Sequence, residues 1–156
     1  MKTLIIYSSE YKKNTEKIAN IFKEKADCDL VNVKNFKNIN LDNYDLIGFG
    51  SGVYVESLSP KLFEIIEKLE LKDKNVFVFS TSGVGMKYYN KKLIKILISK
   101  GAINKGSFAC KGSFKAKEFS NNKVFHIIGK LTKGHPSHKD LKNAEKFFVN
   151  MIKLLN

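Results

Sequence analysis

DLIGFGSGVY, residues 45–54, joins a fully apolar run to a segment built mainly from serine and glycine. The run LIGF at 46–49 contains no polar side chain, which is typical of a parallel strand buried on both faces. We therefore predict a central strand over Tyr44–Gly50, followed by a loop at its carboxyl end. Ligands of α/β proteins bind in loops at that end of a parallel sheet. The segment thus indicates both a fold class and a place for a functional site.

Strand-like apolar runs alternate with helix-like segments on both sides of this stretch. The further predicted strands are Lys2–Tyr7, Leu30–Val33, Asn75–Ser80 and Gly106–Phe114. The segments between them place apolar residues at spacings of three and four, as amphipathic helices do. Alternation of this kind predicts an α/β domain with a parallel sheet of five strands.

Residues that cap helices precede the helix-like segments. We expect an asparagine or threonine to cap the first helix, and a serine followed by proline to begin the second. A glycine closes a lysine-rich helix, and a serine–aspartate capping box begins the last one. In chain order these signals are Asn14 or Thr15, Ser59-Pro60, Lys87–Lys100 with Gly101, and Ser137 with Asp140. The connection 115–135 fits either a helix or part of a split strand.

The composition indicates one globular domain, residues 1–156. Apolar residues make up 43% of the chain, which is enough for a core and excludes intrinsic disorder, collagen and small disulfide scaffolds. No apolar run approaches the about 18 residues that a membrane helix needs, and no signal-peptide core follows Met1. We therefore expect a cytoplasmic protein. Cys28 and Cys110 lack CxxC spacing and are expected to serve as core residues.

Charge is distributed unevenly along the chain. All 28 basic residues are lysines against 15 acidic residues, a net charge of +13. Residues 71–156 carry 18 of the lysines and only four of the acids. Without arginine, zinc-finger spacing or a helix-turn-helix pattern, specific nucleic-acid binding is not expected. The lysines instead favour a phosphorylated cofactor or an acidic protein partner.

Three loops that follow predicted strands share small polar residues. Residues 8–15 carry hydroxyl groups next to a helix start, where free N–H groups and the helix dipole favour a phosphate. In residues 50–54, glycines let the backbone approach a flat ligand and Tyr54 offers a stacking face. The third loop is TSGVG at 81–85, with two tyrosines just beyond it. Together the loops predict one ligand-binding crevice.

Other nucleotide-binding classes lack their required residues here. No GxGxxG follows the first strand and no GxxxxGK[ST] occurs, which disfavours dinucleotide-binding Rossmann folds and P-loop NTPases. A response-regulator receiver needs acidic residues where Ser8, Ser9 and Gly50 stand. A phosphate-accepting role is therefore not expected.

Five segments resemble the short-chain flavodoxin family over essentially the whole chain. They are YSSEYKKNTEKIA (7–19), DLIGFGSGVY (45–54), FSTSGV (79–84), FACKGSF (108–114) and GHPSHKDLKNAEKF (134–147). The resemblance implies a flavodoxin-like three-layer sandwich with a five-stranded parallel sheet in the order 2-1-3-4-5. It also implies non-covalent FMN and low-potential electron transfer, the role of a carrier rather than of an enzyme with its own substrate.

The family pattern assigns cofactor-binding residues and neither catalytic residues nor metal ligands. In the first loop, around the FMN phosphate, these are Ser8, Ser9, Lys13, Asn14 and Thr15. Flanking the isoalloxazine ring they are Ser51, Gly52, Val53, Tyr54, Thr81, Ser82, Gly83, Val84 and Gly85. The chain departs from the pattern at 11–13, where Tyr-Lys-Lys replaces a Thr-Gly step. It has no tryptophan, so stacking on the flavin falls to Tyr54, with Tyr88 or Tyr89 as further candidates.

Two alternatives to an electron carrier stay open. One is a small FMN-dependent oxidoreductase, such as a quinone-linked or protoporphyrinogen-type dehydrogenase. The other is a flavin-free interaction domain whose basic half docks to an acidic partner or to nucleic acid. The expected partner is a redox protein with an acidic docking surface, and the expected state is a monomer or weak dimer. His135 and His138 have HxxH spacing, but we expect an exposed helix start there rather than a metal site.

Overall fold

The computed structural model describes residues 1–118 and 121–155, in which strands and helices alternate. In chain order the elements are β1 (Thr3–Ser8), α1 (Asn14–Lys23), β2 (Cys28–Asn32), β3 (Leu46–Tyr54), β4 (Ser57–Leu58), α2 (Pro60–Glu67), β5 (Asn75–Ser82), α3 (Lys91–Ser99), β6 (Ile103–Lys111), α4 (Lys123–Leu131) and α5 (His138–Leu155). None of the helices in the described ranges is long and apolar enough to cross a membrane.

Five of the strands pair in parallel in the order β2-β1-β3-β5-β6. This is the predicted order once the two-residue β4 is set aside, and it confirms the α/β flavodoxin-like architecture. From β1 the chain first adds β2 on one side and then β3 on the other. The point where the direction of winding reverses therefore lies between β1 and β3, and the loops after these strands border it.

The sheet has one strand more than the five predicted. β3 does not end at Gly50 but continues to Tyr54, and β4 then pairs with its last residues in an antiparallel hairpin. Val55 and Glu56 form the two-residue turn, with left-handed φ values of 47° and 62°. Such a turn usually carries Asn-Gly or Asp-Gly, and the sequence has neither there. For this reason the hairpin was not predicted, and the whole of the expected loop 50–54 is strand.

The central strand is buried on both faces, as predicted. On one face, Leu4, Ile47 and Val78 pack under α2 and α3. On the other, a cluster of aromatic rings lies under α1 and α5, formed by Phe22, Phe77, Phe79 and Phe148. The glycines of β3 make room for these rings. A Cβ atom on Gly48 would lie 2.4 Å from the Phe77 ring, and one on Gly50 would lie 2.1 Å from the Phe79 ring.

The first helix begins differently from the prediction. Asn14 and Thr15 are its first residues rather than its caps, and Lys13 occupies the cap position with a left-handed φ of 53°. The amide of Asn14 and the hydroxyl of Thr15 bond to distant loops instead. The Ser9 hydroxyl takes over part of the capping, because it accepts a hydrogen bond from the Glu16 N–H at 3.2 Å.

The lysine-rich helix also starts later than predicted. Residues Lys87–Asn90 form a 3-10 turn, and α3 begins at Lys91. The Asn90 side chain is fully buried and donates to the Phe108 carbonyl of β6 at 3.0 Å, which fixes the turn against the sheet. The other helix starts agree with the sequence. Pro60 is the first residue of α2, and the capping box of α5 forms through Asp140.

The boundaries of several strands and the nature of 115–135 also depart from the sequence-based limits. β1 covers Thr3–Ser8 rather than Lys2–Tyr7, β5 continues to Ser82 rather than Ser80, and β6 begins at Ile103 rather than Gly106. β2 begins at Cys28 rather than Leu30, and β6 ends at Lys111 because the backbone then turns toward α1. The connection contains a helix, α4, capped by the Asn122 side chain, so the helical alternative is the one observed. Residues 119 and 120 of this connection lie outside the described residues.

Candidate functional site

Side chains from distant parts of the chain meet at the carboxyl edge of the sheet. The hydroxyl groups of Thr15 in α1 and Thr81 in β5 lie 2.9 Å apart and are buried. The Asn14 amide donates to the Ser113 carbonyl at 2.9 Å, just beyond β6. These bonds join the first loop, the third loop and the segment after β6 at one edge of the sheet. The predicted convergence of the first and third loops is thus present.

The first loop presents buried polar atoms that lack partners. Ser8 is fully buried, and its Oγ has no hydrogen-bond partner within the described part of the chain. The Oδ1 of Asn14 is likewise buried and unpaired there. Leaving such an atom without a partner costs about 1–3 kcal/mol. Unpaired polar atoms at a crevice therefore point to a polar ligand.

The backbone of the first loop is strained, and the loop carries two lysines, of which Lys13 lies 3.7 Å from the Glu16 carboxylate. Lys12 and Lys13 both have left-handed φ values, 48° and 53°. This conformation costs an ordinary residue roughly 1–2 kcal/mol, and it stands where the family pattern has Thr-Gly. The N–H groups of Asn14 and Thr15 donate no hydrogen bond to any residue that the structure describes. Free N–H groups beside two lysines make this loop suited to an anion.

The second loop sends its side chains in different directions. The Ser51 hydroxyl accepts from the Ser59 N–H at 2.9 Å and holds the start of α2. Val53 packs against the core under α2 and α3. Tyr54 instead lies over Gly52, where a Cβ atom would be 3.1 Å from the phenol oxygen. Of these four residues, Gly52 and Tyr54 adjoin the crevice.

Tyr54 bridges the first and second loops. Its ring is half-buried, and burial raises the pKa of the phenol, while an interaction with the Glu10 backbone opposes that change. The phenol is therefore neutral at physiological pH. An aromatic ring in this position offers a flat, uncharged face between the two loops.

The third loop is a tight turn that other segments cover. Ser82 accepts a hydrogen bond from the Gly85 N–H at 2.8 Å. Gly85 has a φ of 69°, and a Cβ atom there would lie 3.0 Å from the backbone of β6, so only glycine fits. Val84 is 40% exposed beside it. Tyr88, in the following turn, is exposed under the Lys91 ammonium group, and Tyr89 packs into the core.

Sequence reasoning missed the residues that cover Gly83. A Cβ atom on Gly83 would lie 2.6 Å from the Phe114 ring and 3.2 Å from Ile128 of α4. Phe125 packs edge-on against Phe114, with ring centres 5.7 Å apart. Tyr11 fixes the same segment, because its hydroxyl accepts from the Lys115 N–H at 3.0 Å. Two features of the sequence could have indicated this cover, namely the phenylalanine that ends FACKGSF and the apolar centre of 115–135.

The cysteines and histidines show no reactive arrangement. Burial raises the pKa of the Cys110 thiol to about 12, so the adjacent Lys111 does not activate it. His135 pairs with the Asp140 carboxylate, which also accepts from Ser137. Burial alone would raise the pKa of Asp140, but these hydrogen bonds lower it. In the ranges 1–118 and 121–155, no group of three or more His, Cys, Asp and Glu residues could hold a metal.

The structure thus defines an α/β protein with polar, strained loops at the point where its parallel sheet reverses winding. A family model described as flavodoxin domain matches residues 4–153, and the chain belongs to that family. It is 36% identical over 155 residues to the uncharacterized protein MJ0298 of Methanocaldococcus jannaschii, covering 98% of this chain and 99% of that one.

Two solved structures share the fold at low sequence identity. A flavodoxin from the domain Archaea superposes with a TM-score of 0.71 at 12% identity, covering 99% of both chains. A flavodoxin mutant of Fusobacterium nucleatum, bound to flavin mononucleotide, superposes with a TM-score of 0.66 at 18% identity. That match covers 100% of this chain and 98% of the other.

Proposed function

We propose that this chain binds FMN non-covalently at the carboxyl edge of the sheet and serves as a carrier in low-potential electron transfer. Membership of the flavodoxin family supports the proposal, as does the FMN bound to the structurally similar flavodoxin of Fusobacterium nucleatum. The observation that carries it is a pair of buried atoms in the first loop, Ser8 Oγ and Asn14 Oδ1, which have no hydrogen-bond partner among the described residues.

The chemistry of the first loop fits a phosphate ester attached to a sugar alcohol. A phosphate carries only acceptors at neutral pH, and the loop offers the Ser8 and Ser9 hydroxyl protons and the free N–H groups at the start of α1. Lys12 and Lys13 supply positive charge. The unpaired Asn14 Oδ1 is an acceptor and suits a ribityl hydroxyl group. The loop would therefore supply donors for the phosphate and an acceptor for the ribityl chain.

The remaining residues would bind and shield the ring system. Tyr54 supplies a flat face beside Gly52. When bound, the flavin supplies the redox chemistry, and the protein supplies orientation and electrostatics. Unpaired lysines beside the third loop, such as Lys87, favour an anionic reduced flavin by Coulomb attraction. No acid–base pair of side chains is needed for this role.

A visible absorption spectrum tests the proposal directly. The protein is measured as isolated, then after addition of FMN and desalting, with folding checked by circular dichroism. We expect a flavin spectrum at about one FMN per chain, as in a non-covalent flavoprotein. A folded protein that retains no flavin would overturn the proposal and favour the flavin-free alternative. A flavin enzyme with its own substrate would instead show steady-state turnover without a protein partner.

A further inference from the structure

Helix α4 exposes a row of large apolar side chains. Val124, Ile127 and Leu131 are 62%, 59% and 64% exposed. Their spacing of three and four residues puts them on one face of the helix, and we call them the α4 stripe. Isolated exposed apolar residues are common, but a contiguous row on one element marks an interaction surface.

The α4 stripe borders the candidate FMN site. The neighbouring Ile128 packs on Gly83 of the third loop, at 3.2 Å from the position of a Cβ atom. Val84, the next residue of that loop, is also exposed. A partner that covers the α4 stripe therefore also lies beside the third loop, which is the geometry that electron exchange requires.

Four lysines lie on the flank of α4 or beside the third loop. Lys123 and Lys130 lie two turns apart on the flank of α4, and Lys87 and Lys111 adjoin the third loop. None of the four forms an ion pair with a residue in the described part of the molecule. The nearby acid Glu118 is paired with Lys115 at 3.5 Å. The surface is therefore apolar with a positive border.

We infer that the α4 stripe and these lysines are the docking surface for an acidic, one-electron carrier protein. The inference rests on the proposed function and names its partner. A second copy of this chain does not fit, because two molecules of net charge +13 repel each other. A lipid surface fits less well, because an interfacial helix turns a whole polar face to water. In α4 the side next to the stripe is instead covered by protein, because Ile128 packs on Gly83 and Gly129 packs on Ala116.

The test uses a small acidic ferredoxin as the probe. The FMN-loaded protein is mixed with reduced ferredoxin in a stopped-flow instrument; one electron leaves the iron–sulfur cluster and reduces the bound FMN. Leu131→Asp is compared with Leu154→Asp, which makes the same change at an exposed leucine near the end of α5. We expect Leu131→Asp to lower the second-order rate constant about tenfold, since losing one buried leucine costs roughly that factor in affinity. Leu154→Asp should stay within about twofold of the unmodified protein.

Leu131→Ser and Leu154→Ser form a milder pair, in case the new charge at the end of α4 unfolds it. Equal effects at both positions, or no effect at either, would overturn the inference. So would binding to phosphatidylglycerol vesicles that Leu131→Asp abolishes while the ferredoxin rate stays unchanged. Binding of ferredoxin to the flavin-free protein, followed by NMR shifts, separates failure of docking from failure to bind FMN.

Discussion

Replacing Ser8 with alanine should stabilise the flavin-free protein and weaken its binding of FMN. The Ser8 hydroxyl is fully buried and has no partner within the described residues. An unpaired buried hydroxyl costs about 1–3 kcal/mol, and alanine removes it without adding atoms. We expect the free energy of unfolding of the flavin-free protein to rise by about 1 kcal/mol.

The effect on FMN has the opposite sign. A hydrogen bond to a charged group contributes about 1.5–3 kcal/mol, so its loss should raise the Kd for FMN about 10- to 100-fold. At a fixed, high FMN concentration, a 100-fold weaker Kd removes about 2.7 kcal/mol of ligand-derived stability. That loss exceeds the gain, so the order of stability of Ser8→Ala and the unmodified protein reverses when FMN is added.

Urea unfolding with and without FMN, together with titration of flavin fluorescence, measures both effects. Ser99→Ala is the control, because the Ser99 hydroxyl is exposed and bonds only within α3. It should leave the Kd for FMN unchanged. If Ser8→Ala destabilises the flavin-free protein, or if its Kd for FMN equals that of the control, the hydroxyl is not a ligand of FMN.

Three further predictions concern the turn, the charge and the thiols. The double change Val55→Asn with Glu56→Gly should raise the free energy of unfolding by about 1–2 kcal/mol, because both positions have a left-handed backbone conformation. Unchanged urea unfolding curves would contradict this prediction. In the FMN-loaded protein, Lys87→Gln should lower the reduction potential of the flavin by about 20 mV in a redox titration, which is the effect of one charge at about 10 Å in water. Lys153→Gln is the control and should leave the potential unchanged. Burial raises the pKa of the Cys110 thiol in the folded state from 9.0 to about 12. The contribution of this buried neutral thiol to folding stability is therefore complete below pH 9 and is lost as the pH rises from 9 toward 12. Urea unfolding at pH 8 and pH 10.5 should show this loss, and Cys110→Ala should reduce it.

The central strand and the strand order were predictable because they follow from local pattern. The run at 46–49 is apolar at every position, and burial on both faces requires that. Its glycines match the phenylalanines of β5, so sequence and packing agree. The meeting of the first and third loops follows from the same logic, since strands that alternate with helices bring their carboxyl ends to one edge.

The features that were missed depend on contacts that local pattern does not encode. Val55 and Glu56 are poor residues for a left-handed turn, so only their place between β3 and β4 explains the hairpin. Asn14 has the side chain of a cap but uses it on Ser113, 99 residues away. The cover of Gly83 by Phe114 joins segments about 30 residues apart. Long-range contacts of this kind overrode the local capping and turn signals.

The candidate site combines two parts of the chain that differ in charge, and this separates FMN binding from the docking of a partner. The first and second loops come from residues 1–70, which carry 10 lysines against 11 acidic residues. The third loop and α4 come from the strongly basic remainder. Atoms that would hold the phosphate thus belong to a nearly neutral segment, while the surface that would meet a partner is positive. Substitutions at Ser8 should therefore change FMN affinity with little effect on docking, and substitutions at Leu131 should do the reverse. A change at either residue that altered both properties equally would mean that cofactor and partner share one surface.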